Sequence, residues 1–257
     1  MIIDTHAHYD DERFDEDRDE LLLSMKEKGV EAIVNASASL KGCYDSLALA
    51  EKYDFMYFLA GIHPSDALDL EVEGNFDEIK RMAMHERCVA VGEIGLDYYW
   101  DEPDRGIQKK WFEAQLDLAR EIKKPVNIHS RDAFADTFDI IKATKGYENG
   151  GIIHCFSYGV ECAREFLNMG FMLGIGGVLT FKNGKKLKEV VEYAPLEQLV
   201  LETDCPYLSP EPFRGKRNDS GNIQYVAKQL AELKNISEEE VIRITRENAL
   251  RVYKIAR

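Results

Sequence analysis

The chain has 257 residues, 45% hydrophobic and 31% charged, with 33 basic and 47 acidic side chains for a formal net charge of −14. That length suits one large domain or two small ones with a substantial core, and no apolar run approaches the ~20 residues that span a bilayer. The acidic balance argues against general affinity for nucleic acid or anionic membrane, yet leaves room for a local site where metal ions and arginines reverse the potential.

Five cysteines (Cys43, Cys88, Cys155, Cys162 and Cys205) form no CxxC pair. They fit reduced thiols in a cytoplasmic protein, and the acidic sequence behind the first strand is unlike a signal peptide.

In chain order, apolar strand-like runs alternate with segments of helical period. The runs are "MIIDTHAH", "EAIVNAS", "FMYFLAGIH", "CVAVGEIG", "KPVNIHS", "GGIIHCFS", "FMLGIGG" and "QLVLETD". Between them lie amphipathic stretches such as "DRDELLLSMKEKG", "NFDEIKRMAMHER" and "QKKWFEAQLDLAREIKK". Several end in Gly or precede Pro, which stop helices. The alternation predicts a parallel sheet. Eight units in about 250 residues match a (β/α)8 TIM barrel of the α/β class, as a single domain over residues 1–257. An open doubly wound sheet is the alternative, since periodicity does not give strand order. "NIQYVAKQLAELKN" follows the last strand, and an extra C-terminal helix, "SEEEVIRITRENALRVY", opens on Ser237 with Glu240 three residues on, a capping-box pattern.

In such a barrel the chemistry sits at the C-terminal strand ends. The first run ends with His6 and His8, which share a strand face with Asp4. The third reaches His63, the fourth Glu93, the fifth His129, the sixth His154 and the eighth Asp204. Of six histidines only His85 falls in a helix-period segment. Imidazoles and carboxylates converging on one rim are what a divalent cation requires. Glu93 lies in an otherwise apolar strand, where a lone buried carboxylate is costly unless paired or metal-bound. Asp204 is similar, and Glu202 shares its face as an alternative ligand less able to reach the rim. Each histidine also has a bland reading: a frayed N-terminus for His6 and His8, a turn for His63, the core for His129 and His154.

"DTHAH", "GIHP", "GEIGLDYY", "PVNIHSR", "HCFS", "ETDCPYLSP" and "RGKRN" occur in this order. In them, and through "ITRENALRVY", the whole chain resembles the TatD family of metal-dependent hydrolases, within the amidohydrolase-like barrels. The resemblance implies two divalent metal ions, with zinc, magnesium and manganese all compatible with such donors. It implies nuclease activity on DNA or RNA, of the 3′–5′ exodeoxyribonuclease type; some members are linked instead to deacylation of D-aminoacyl-tRNA. His6, His8, Glu93 and Asp204 would hold one ion, and His129, His154 and the shared Glu93 the second. After "RGKRN" relatives usually continue with an acid and a proline, where this chain has Asp219-Ser220, a departure in the loop rather than the ligands.

On that reading the ions lower the pKa of a shared water, while Asp204 orients it and accepts its proton beside Glu93, the other catalytic carboxylate. His63, as imidazolium or N–H donor, would hold a phosphate oxygen. Arg131, Arg214, Lys216 and Arg217 would form a basic clamp suited to phosphate; the bland reading of "FRGKR" is a solvated loop. Tyr98, Tyr99 and Trp100 either stack on an unpaired base, favouring single-stranded ends, or pack the loop. The rivals are an amide or ester hydrolase with the same centre and a metal-binding scaffold without catalysis. "CVAVGEIG" has no lysine to carry a bridging carbamate, which disfavours amidases of that type. The expected protein is monomeric and free of membrane.

Overall fold

Each apolar run becomes a strand. The computed structural model describes residues 1–255, with β1 (Ile2–Ala7), β2 (Val30–Asn35), β3 (Met56–Ala60), β4 (Cys88–Asp97), β5 (Val126–Arg131), β6 (Gly151–Ile153), β7 (Met172–Ile175) and β8 (Leu199–Leu201). All pair in parallel and in sequence order. The ring closes between β1 and the chain leaving β8: Thr5 Oγ1 donates to the Leu201 carbonyl at 3.0 Å, Asp204 N–H to His6 O at 2.9 Å and His8 N–H to Cys205 O at 2.8 Å. A sheet closed on itself is a (β/α)8 barrel, not an open doubly wound sheet.

The amphipathic segments become α1 (Arg18–Ser24), α2 (Leu40–Lys52), α3 (Asn75–Ala83), α4 (Arg105–Glu121), α5 (Phe134–Thr144), α6 (Val160–Asn168), α7 (Lys185–Tyr193), α8 (Ile223–Lys234) and α9 (Glu238–Tyr253). Apolar residues on the outer face of the strands form one continuous core with the helices. A second cluster fills the barrel, where Ile3, Val34, Leu59, Ala90, Ile152 and Val200 meet Ala249, Leu250 and Tyr253 of α9. The extra helix therefore plugs the barrel. Its start is the expected cap, with the Ser237 hydroxyl accepting the Glu240 N–H at 3.1 Å.

Two local features place the site. The strand read from "CVAVGEIG" runs two residues further than its pattern, with β4–β5 pairing continuing through Gly95↔His129 to Asp97↔Arg131. Gly95 permits this approach: at φ 148, a Cβ there would lie 1.8 Å from the His129 carbonyl oxygen. Gly174 does the same for a side chain, since a Cβ there would meet Glu202 Oε2 at 2.2 Å. Among the described residues, no helix is long and apolar enough to cross a membrane.

Candidate metal centre

Glu93, 3% exposed, stands at the middle of the barrel mouth and presents its two oxygens in different directions. Oε2 lies 3.3 Å from His6 Nε2 and 3.9 Å from His8 Nε2. Oε1 lies 2.9 Å from His129 Nδ1 and 3.8 Å from His154 Nε2. Asp204 Oδ1 closes the arrangement at 3.1 Å from His8 Nε2, 3.7 Å from His154 Nε2 and 3.9 Å from His6 Nε2. His6–His8–Glu93 and Glu93–His129–His154 thus form two donor clusters that share one carboxylate. Asp204 (φ 56) and Cys155 (φ 44) adopt left-handed backbone just beyond β8 and β6, strain of the kind that collects at functional sites.

The hydrogen bonds behind the ligand atoms decide where the imidazole protons sit. Tyr253 O–H donates to the Thr5 carbonyl at 2.9 Å, so its oxygen accepts from Asn127 Nδ2, also at 2.9 Å. That turns Asn127 Oδ1 toward His6 Nδ1, 3.0 Å away, and fixes the His6 proton there. His8 Nδ1 faces the Ala36 carbonyl at 2.9 Å and must also be the donor. The two Nε2 atoms are then bare and only 3.1 Å apart. Two facing lone pairs repel unless positive charge lies among them.

The other cluster repeats the pattern. His129 lies between two carboxylates, with Nε2 3.0 Å from Asp97 Oδ2 and Nδ1 2.9 Å from Glu93 Oε1. His154 Nδ1 lies 3.1 Å from Glu202 Oε1, close enough for charge attraction but off the line of a good hydrogen bond, and its Nε2 turns inward. Among the described residues no lysine or arginine pairs with Glu93 or Asp204; every ion-pair partner of either there is a histidine. Buried carboxylates facing bare imidazole nitrogens, each ring held from behind, are the donor chemistry of a divalent metal centre. The residues fit the ion.

Protons meet part of the same demand. Burial works against charge on His8, but the Asp204 hydrogen bond and charge raise it to about 9. Burial likewise opposes charge on His154, and the Glu202 and Glu93 carboxylates raise it to about 10. His6, fully buried and stacked on His154 with ring centroids 3.4 Å apart, is lowered by burial and by its neighbour's charge. Burial pushes the Glu93 carboxyl up, yet the surrounding imidazoles hold it well below its ordinary range.

A family model described as TatD related DNase matches residues 3–254. The chain is 46% identical over 255 residues to the uncharacterised metal-dependent hydrolase YabD of Bacillus subtilis, covering 99% of this chain and 100% of that protein. It is 35% identical over 261 residues to the uncharacterised metal-dependent hydrolase YcfH of Escherichia coli K12, covering 99% and 96%. The chain belongs to the TatD family of metal-dependent hydrolases. Its fold superposes on the TatD homologue YJJV of E. coli K12 with a TM-score of 0.91 at 29% identity, over 99% of this chain and 98% of that one.

In this TatD chain the six expected ligands converge, but the expected substrate contacts separate. The mouth opens as a cleft of about 430 Å³, with Arg131, Trp100 and Tyr207 on its wall. His63 lines the cleft beside the two clusters. Its Nδ1 meets the Ser65 N–H at 3.1 Å and the Ser65 hydroxyl at 2.7 Å, and its Nε2 lies 3.8 Å from Glu93 Oε1. Burial lowers its pKa to about 3, so it is neutral.

Arg131 is exposed and stacks over Tyr99, its guanidinium carbon 3.8 Å from the ring centroid. Trp100 is 67% exposed, whereas Tyr98 turns away and donates to Asp136 at 2.6 Å. Arg214 and Arg217 do not reach the cleft. Arg217 spends its donors on Asp17 at 2.8 and 2.5 Å and on the Arg13 carbonyl at 2.7 Å, and Arg214 lies over Phe181 at 4.3 Å. Lys216 packs against Phe213 at 5.8 Å, so the last loop supplies none of the clamp.

Sequence reading missed Asp97, Asn127 and Tyr207. Asp97 is four residues beyond Glu93 on the same strand, so period-2 alternation puts it on the Glu93 face once the strand's true end is known. Asn127 is likewise two residues from His129. Nothing in the pattern marks Tyr207, which donates to Asp11 Oδ2 at 2.8 Å and carries Arg13 over its ring.

Proposed function

We propose that this hydrolase binds two divalent metal ions (zinc, magnesium or manganese) and hydrolyses phosphodiester bonds at DNA or RNA ends, preferring single strands. The observation that carries this reading is the Glu93 carboxylate, which offers one oxygen to His6 and His8 and the other to His129 and His154. His6, His8, Glu93 and Asp204 would hold one ion; Glu93, His129 and His154 the other. Bound there, the ions supply Lewis acidity, activating a water and neutralising charge on the attacked phosphate.

The chain's own groups supply the rest. Asp204 Oδ1 orients the attacking water and takes its proton. Its left-handed backbone aims it into the cleft, and the imidazoles hold its carboxyl below the ordinary range against burial, which keeps it a ready acceptor. His63, neutral with Nε2–H at the cleft, donates to a nonbridging phosphate oxygen. Arg131 meets the neighbouring phosphate, while exposed Trp100 and Tyr99 offer faces on which an unpaired base stacks. The family model's name, TatD related DNase, supports the nucleic-acid substrate. The five unpaired cysteines favour a reducing, cytoplasmic setting.

The test offers protein reconstituted with each metal a chromogenic phosphodiester, end-labelled single-stranded DNA, RNA and a D-aminoacyl-tRNA. Stepwise shortening of the oligonucleotides is the expected result. Release of the amino acid with oligonucleotides left intact would replace this reading with the ester-hydrolase one.

A further inference from the structure

Asp97 belongs to neither donor cluster around Glu93, yet it is 2% exposed and both its oxygens are engaged. Oδ2 lies 3.0 Å from His129 Nε2. Oδ1 accepts the backbone N–H of Tyr99 at 2.9 Å and of Trp100 at 3.2 Å. Gln108 of α4 clamps the Asp97 backbone from both sides: the Asp97 N–H donates to Oε1 at 2.9 Å, and Gln108 Nε2 donates to the Asp97 carbonyl at 3.2 Å. One immobilised carboxylate thus joins a candidate ligand to the loop that carries the exposed aromatics.

We propose that Asp97 is a positioning residue that decides which nitrogen of His129 is bare and ties that choice to the Tyr99–Trp100 loop, coupling uptake of the second ion to the placing of substrate on those rings. This deepens the two-ion reading and rests on it. The chemistry is that of a single proton on a neutral imidazole. Carboxylates flank both nitrogens, Asp97 at Nε2 and Glu93 2.9 Å from Nδ1; with Glu93 committed to the ions, Asp97 is the acceptor that remains, holds the proton on Nε2 and leaves Nδ1 bare. A donor at position 97 would reverse the tautomer and aim an N–H at Glu93, where no ion could be ligated.

His63 cannot substitute for Asp97. Its ligand atom lies within 4.8 Å of those of Asp97 and His129, but burial lowers its pKa to about 3, and a neutral ring brings no charge to hold the His129 proton. On its other oxygen Asp97 turns the loop so that Tyr99 lies under the Arg131 guanidinium, joining the β4 and β5 ends on the cleft wall.

Asp97→Asn tests the proposal, because the amide oxygen can still accept the loop N–H groups while its NH2 faces His129. Equilibrium dialysis against Zn2+ should show the first equivalent bound as in wild type and the second weakened by about 10- to 100-fold. In 15N spectra of the metal-free Asp97→Asn protein at alkaline pH, the His129 proton should sit on Nδ1, facing Glu93. Trp100 emission, read in a Trp111→Phe background, should respond to the second equivalent in wild type and lose that response in Asp97→Ala.

An Asp97→Asn protein with unchanged second-ion affinity and its His129 proton still on Nε2 overturns the proposal. Should that variant fail to fold, Asp97→Glu keeps the charge but alters the reach, and must still weaken only the second equivalent. Wild-type protein that binds a single equivalent sinks the two-ion reading and the coupling with it, while the tautomer measurement still decides whether Asp97 governs His129.

Discussion

His6 and His129 face the two oxygens of the same carboxylate, but they are held from opposite directions. The His6 ring is fully buried, and its outer nitrogen is tied through Asn127 to Tyr253 and the Thr5 carbonyl. It is held by the barrel interior and by the helix that plugs it. The His129 ring is tied through Asp97 to a surface loop. One half of the centre can move only if the barrel does; the other answers to a segment that substrate would touch. Rigid scaffolds commonly carry function on loops, and here that division runs through a single shared glutamate.

The change that should erase the distinction is Glu93→Gln, which removes the shared charge from both halves. Turnover should fall by about 10³-fold or more, and metal analysis should show both positions weakened. Loss of one ion alone would mean that the halves do not depend on Glu93 equally.

Next in size is a pH effect drawing one proton from each half. His8 and His154 are raised from 6.5 to about 9 and about 10. Metal-free, the folded chain holds these protons where the unfolded chain has released them. Their contribution to stability is complete below pH 6.5 and disappears as pH rises through about 9 and 10. Metal uptake must displace the same protons, so affinity should rise by about one to two decades per pH unit across that window. Titrations and melting curves with chelator and with metal check both signs. A pH-independent affinity would show that neither imidazole is a ligand.

Tyr253→Phe separates the halves by a smaller amount. It deletes the hydroxyl that orders Asn127 and leaves the Thr5 carbonyl without its donor, at a cost of about 1–3 kcal/mol. The melting temperature should fall and the first ion should weaken. Asp97→Asn should weaken the second ion with little change in melting temperature. Matching effects from both variants would dissolve the comparison.

These contrasts also mark what the sequence could reveal. The barrel and the convergence of the six candidate ligands were legible because strand period, strand ends and residue chemistry coincide there. Glu93 stood out as an acid in an apolar run, and the histidines as polar ends to apolar runs. Asp97 was hidden because "GEIG" looks like the close of a strand, while pairing in space with β5 carries it on to Asp97. Asn127 reads as one more strand residue until Tyr253, 126 positions away, supplies its partner. The fate of the arginines was hidden for the same reason: a short basic run does not show that Asp17 has already engaged one of them.

That last point gives the smallest and most discriminating prediction, between two arginines of equal charge. Arg131 stacks on Tyr99 at the cleft wall, and on the proposed reading Arg131→Ala should raise KM for an oligonucleotide by about 10-fold, the loss of one charge-assisted contact. A chromogenic phosphodiester too short to reach it should be hydrolysed as before. Arg217 is committed to Asp17 and the Arg13 carbonyl in a tie that solvent partly screens. Arg217→Ala should leave both KM values unchanged and cost at most about 1 kcal/mol of stability. An Arg217→Ala protein that loses oligonucleotide affinity while Arg131→Ala does not would mean that the last loop releases Asp17 and swings onto the substrate, and that the basic contact belongs to β8's end of the cleft rather than to the loop Asp97 holds.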